Sequence, residues 1–149
     1  MSTSTIREQI IAAAVVAVNV GAPTGVPACV RTIMQPSEQA QLPAITCFPF
    51  REVINDRSAT GRWGPIITRD LYLRFVVYAQ GDPADQALDP ILAWLTQALG
   101  GQQFGGLAND TVEHEINWQY DEGTFQVAAA AVDFRVEYQT LRADATKTQ

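Results

Sequence analysis

Catalysis needs side chains that hold a proton, a metal or a nucleophile in place, and this chain offers few of them. His114 is the single histidine in 149 residues. It alternates with Val112 and Ile116 in TVEHEINWQY, residues 111–120, and no serine or cysteine nucleophile lies near it in sequence. A hydrogen-bonded structural histidine is the stronger reading. Asp82, Asp85 and Asp89 could supply a cation site, but two of them sit where a helix macrodipole already favours negative charge, so capping explains them better. Cys29 and Cys47 are too few and too far apart for a disulfide framework or a zinc site. They read as reduced, small core residues able to become neighbours across paired strands. The segment GGQQFGG, residues 100–106, lacks the Gly-Lys-Ser/Thr ending with which a phosphate loop holds a nucleotide. No metal cluster, triad, acid pair or nucleotide loop emerges. No cofactor is expected, and an assembly subunit fits better than an enzyme. Trp63 is the least easily explained residue: it is either an exposed interface anchor or a side chain folded back onto its own domain.

Composition narrows the class of partner. With 47% hydrophobic and 17% charged residues, the chain is globular and poor in charge, which leaves neutral surface for other subunits. Its length suits one domain, residues 1–149, burying roughly 68–70% of its unfolded surface. A net charge of −6 argues against a protein that grips phosphates, because such proteins carry basic patches. The run IIAAAVVAV looks like the apolar part of a signal peptide, but Glu8 precedes it and Arg7 is the only positive side chain there. A helix of the mature protein explains it better. No run approaches the roughly 20 apolar residues of a membrane span, so no membrane contact is expected, and the chain should be soluble and intracellular when made.

The elements that would position these residues can be read from periodicity. The central one is RDLYLRFVVYAQ, residues 69–80, where Leu71, Leu73, Phe75, Val77 and Ala79 fall on one face and mixed residues on the other. Before it, Thr5 and Glu8 form a capping box for a helix from Ile6 to about Val18, apolar around most of its circumference. Residues 28–33 read as a short strand, and LPAITCFPF, residues 42–50, as a second strand that lies at an edge or ends near Phe48, because Pro49 removes a ladder donor. Residues 51–65, REVINDRSATGRWGP, have no convincing period and read as a long, mobile polar loop, a docking arm exposed before assembly. Residues 84–99 show apolar spacing of three and four, with the helix starting either at an Asp82 cap or at an Asp89 cap with Pro90 first. Residues 111–120 alternate between a packed face with His114 and a wet face, and residues 125–138 return after a hairpin turn. Apolar positions in that last strand change phase, through a bulge at residues 128–131 or an alanine segment buried on both faces. Residues 141–149 carry no packing signal and read as a frayed tail. The expectation is a single α+β domain in the order α-β-β-β-α-β-β, with a largely antiparallel sheet and helices packed against it.

This order of features resembles the tail terminator, or tail completion, proteins of long-tailed bacteriophages. The resemblance covers roughly residues 6–140 and rests on IREQIIAAAV, on LPAITCFPF before a long loop, on DLYLRFVVYAQ leading into ALDPILAWLTQAL, and on EINWQYDEG with VDFRVEYQT. Pro90 and the length of the 51–65 loop depart from it. The resemblance implies a structural, non-enzymatic virion protein of the tail–neck region, assembled in the host cytoplasm as a hexameric ring. Such a ring would cap the tail tube, stop its polymerisation and present a surface for head–neck attachment. The implied partners are further copies of the chain, the tail tube protein, a neck or head–tail connector protein and a sheath protein where the tail has one. DNA would only pass through the channel. Arg51, Arg57, Arg62 and Trp63 would then dock on tube or neck, and Glu113, Glu115, Asn117 and Gln119, as an uninterrupted carboxylate and amide row, would line a channel that repels phosphates. A neck connector or tube-like subunit is the alternative within this class. A small-molecule-binding or enzymatic α+β domain is the alternative outside it.

Overall fold

The computed structural model describes residues 4–36, 42–61, 64–81, 83–121 and 127–147, with backbone alone for 56–61 and 121. Helix α1 spans Ile6–Asn19, strand β1 Cys29–Arg31, β2 Ala44–Gly61, β3 Gly64–Gln80, helix α2 Ala84–Leu99, β4 Asp110–Asp121 and β5 Val127–Leu141, with one 3-10 turn at Phe104–Gly106 between α2 and β4. The five strands form one sheet in the order β1-β2-β3-β5-β4. The expected α+β domain is present, differing in detail: the sheet is mixed, since β1 runs parallel to β2, and the connection after α2 contains its own helical turn.

The central strand lies in the middle of the sheet, paired to β2 and β5 along almost its whole length. Leu71, Leu73, Phe75, Val77 and Ala79 are all buried and face both helices in one core with Ile10, Ile11, Leu88, Leu95 and Phe134. Phe75 meets Phe134 edge-on, with ring centroids 5.7 Å apart. The helices cover this face only, so among the described residues the opposite face of the sheet is open.

Helix α1 starts where the Thr5 hydroxyl accepts from the Glu8 backbone N–H at 3.1 Å. The Glu8 carboxylate does not close the expected box and instead accepts two hydrogen bonds from Arg31. At the other end, Asn19 Oδ1 accepts from the Cys29 N–H at 2.7 Å while its Nδ2 donates to the Cys29 carbonyl. Trp94 of α2 donates its indole N–H to the Val18 carbonyl at 2.9 Å, tying the two helices together. Helix α2 runs straight through Pro90 from a start at Ala84, with Pro83 rather than Pro90 opening it. The alternative start at Asp89 is thereby corrected, and Asp82 lies outside the described residues. Pro90 is exposed on the outer side of the helix, where water can satisfy the carbonyl left without a donor.

Several expectations about extended segments change. Residues 51–61 are not an irregular loop but the second half of β2, which pairs with β3 up to Gly61 opposite Gly64. Their polar sequence and two register shifts, at Pro49/Arg51 and Asn55/Ala59, hide the period of two. Pro49 is tolerated because β1 reaches β2 only as far as Cys47, so β2 is already an edge there and needs no donor. The phase change in β5 has no bulge, since its pairing with β3 runs unbroken from Val127 to Leu141. Ala128 and Ala130 face the core, and Ala129 and Ala131 are half-buried on the open face. The tail is also less frayed than expected: Leu141 bridges Asp144, Arg142 N–H donates to the Pro65 carbonyl, and Ile6 N–H donates to the Ala145 carbonyl at 2.9 Å. That last bond satisfies one of the orphan donors at the start of α1.

Candidate docking surfaces

The open face carries a layer of stacked side chains. Even-numbered residues of β3 point to it, and Tyr72 is buried there, 7% exposed, although no helix covers it. The Arg51 guanidinium lies 4.9 Å from the Tyr72 ring centre, and His114 meets the same ring edge-on at 4.9 Å. Beside them Arg74 sits 3.9 Å over the Phe50 ring and donates twice to Asp133, at 2.8 and 3.1 Å. Asp133 is fully buried, and the fork gives both of its carboxylate oxygens a donor. Of the expected docking residues, Arg51 is thus engaged within its own domain. The Arg57 side chain, Arg62 and Trp63 lie outside the described residues.

The expected channel row is split. In β4 a bulge between Glu113 and Glu115 puts an extra residue, His114, into the strand. Glu113 stands opposite Phe134 and turns toward the helices, where it accepts from the Thr96 hydroxyl. Glu115, Asn117 and Gln119 stand opposite Asp133, Ala131 and Ala129 and turn to the open face. The four residues therefore belong to two faces, and His114 leaves the packed face on which its alternation placed it. Trp118 and Tyr120, opposite Ala130 and Ala128, remain largely exposed at this free edge of the sheet.

One polar cluster that periodicity does not single out joins four elements. The Glu52 carboxylate accepts from Arg7 at 3.1 and 2.6 Å, from Arg69 at 3.1 Å and from the Tyr138 hydroxyl. Burial alone would raise the Glu52 carboxyl, but the hydrogen bonds from Arg7 and Tyr138 and the charges of Arg7 and Arg69 outweigh it and hold the group below the usual range. Burial and the same carboxylate push the Tyr138 phenol up. Every member of the cluster has a structural partner. Cys29 and Cys47 are free and buried. The Cys47 thiol is pushed up by its hydrogen bond with Cys29 and by burial, which keeps it unreactive. Among the described residues no group of three acidic, His or Cys side chains could hold a metal ion, and no helix is long and apolar enough to cross a membrane.

The described surface also carries exposed apolar side chains. Val16 on α1, Val20 at its C-terminal cap, Val30, Ile33 and Met34 at β1, and Trp118 and Tyr120 on β4 are all exposed. No protein-family model matches the chain, and no curated protein matches it. A chain in the solved virion of a native gene transfer agent particle is similar, with a TM-score of 0.51 at 18% identity over 91% of this chain and 92% of that one. The fold is shared with a virion chain. At this identity the likeness is one of architecture.

Proposed function

We propose that this protein is a structural virion subunit, a tail terminator whose ring caps a tail tube, stops its growth and offers a surface to the neck. The observation that carries the reading is the likeness to a gene transfer agent virion chain across nine-tenths of both molecules. Exposed apolar side chains on α1, at β1 and on β4 support it, because a closed ring joins two different patches of each copy head to tail. Work of this kind is steric and adhesive, and needs none of the groups a catalyst would. In this reading the β2–β3 hairpin tip, with Arg57, Arg62 and Trp63, reaches the tube or the neck.

The test combines light scattering and negative-stain imaging of the purified protein with its addition to polymerising tube protein from the same particle. Rings that bind tube ends and shorten the tubes are the expected result. A monomer with no effect on tube length overturns the reading. Open filaments of the protein itself would assign it to the tube instead.

A further inference from the structure

Helix α1 and the open sheet face lie on opposite sides of the same sheet, and each presents a surface without a partner among the described residues of the subunit. On α1 the only charged side chains, Arg7 and Glu8, lie in the first turn and are paired with Glu52 and Arg31. Beyond them Ala12 and Val16 lie four residues apart on the outer side and Val20 follows as the residue that caps the helix end, with Val16 58% and Val20 66% exposed. A helix with apolar residues on its outer side as well as its inner one belongs between two layers.

The second layer is available on the other side of the molecule. A trough of about 460 Å³ crosses the open face, floored by Phe48, Val76, Ala129 and Ala131, with Ile33 at the β1 end and Trp118 at the β4 end. From β1 to β4 it spans four inter-strand steps of about 4.8 Å, roughly 19 Å. Three to four turns of α1 are of similar length, at about 1.5 Å per residue. Arg74 lines the trough, but its charge is matched by Asp133, so the floor is effectively neutral. Its alanines leave room for a helix backbone to come close, and the α1 stripe is built from alanine and valine.

We propose that α1 of one copy docks in the open-face trough of the next, with Ala12, Val16 and Val20 seated over Val76, Ala129 and Ala131. This rests on the ring reading above and names the two patches that close it. Neutral surface meets neutral surface, with no charge left unpaired in the contact. Because the patches lie on opposite sides of one sheet, the contact is head to tail, giving alternating helix and sheet layers around the ring.

Val16→Glu and Ala131→Glu test it, each checked for an intact fold by circular dichroism and thermal melting. Each variant alone should fall from the ring mass to that of one subunit. An equimolar mixture should recover a dimer and nothing larger, since each partner keeps one working patch. Should either charged variant fail to fold, Val16→Cys subunits mixed with Ala131→Cys subunits and oxidised with copper–phenanthroline should give a covalent dimer that neither forms alone. Rings that persist in both glutamate variants overturn the docking while leaving the ring reading intact. Crosslinking of Val16→Cys to itself overturns it in favour of a symmetric contact. Variants that keep the ring but lose tube capping assign the trough to another protein, and a wild type monomeric at every concentration overturns both the docking and the ring.

Discussion

Glu52→Ala is expected to destabilise the fold by about 3–4 kcal/mol, read from urea unfolding followed by tryptophan fluorescence. The carboxylate is the shared acceptor for α1, β2, β3 and β5 through Arg7, Arg69 and Tyr138. Removing it leaves two guanidinium groups and a phenol without their acceptor, and breaking a buried pair costs about 3–5 kcal/mol. The lower part of that range applies because the Arg7 side chain is 35% exposed and can rehydrate. Glu52→Gln keeps the shape and part of the hydrogen bonding, and should lose roughly half as much. Acid should mimic the substitution. The Glu52 carboxyl is held below its ordinary value of 4.5, so its stabilisation is complete above that value and lost as pH falls through the lower folded one. Glu52→Gln should therefore flatten the wild-type decline in stability as pH falls below the ordinary carboxyl value of 4.5. An unchanged acid slope would show that other carboxylates carry it.

The second large effect lies in the core. Phe75→Ala should cost about 3–5 kcal/mol, since the ring is fully buried and its edge-on partner Phe134 is fully buried too. Leu73→Ala, on the same face, should cost about 2–5 kcal/mol. The comparison that tests the facing is Tyr72→Ala. Tyr72 points away from the helices, under a layer one side chain thick made by Phe50, Arg51 and His114, so roughly 2 kcal/mol is expected. Thermal or urea unfolding of the three variants checks the order, and equal small losses would contradict the assigned faces.

Periodicity was enough for the parts of this fold that carry a single, uninterrupted face. The odd positions of β3, the capped start of α1 and the three- and four-residue spacing of α2 all follow from side chains sorting between water and one core. The second half of β2 was hidden because Pro49 and two register shifts break its alternation, and because Glu52 enters the core side as a charge. The β4 row failed for a similar reason: one inserted residue, His114, sends Glu113 and Glu115 to different faces, and a bulge has no reliable single-residue signature. Asp133 was placed correctly in a strand, but nothing local marks an aspartate whose arginine lies 59 residues away. The stacked layer of Arg51, Tyr72, Phe50 and Arg74 likewise exists only once β2 and β3 are side by side.

Asn19 has a consequence for how the free subunit behaves at high concentration. Its carboxamide occupies both outward-pointing backbone groups of Cys29, acting as one peptide unit of a strand that is not there. At the opposite rim, β4 is interrupted by its bulge and flanked by Glu113 and Glu115. Runaway growth of a sheet from molecule to molecule requires a complementary open rim at each side. Here Asn19 caps the β1 rim at Cys29 and the β4 rim is interrupted by a bulge beside two carboxylates, while β2 beyond Cys47 stays an edge broken by its own two register shifts, so neither side offers another copy a long regular ladder to extend.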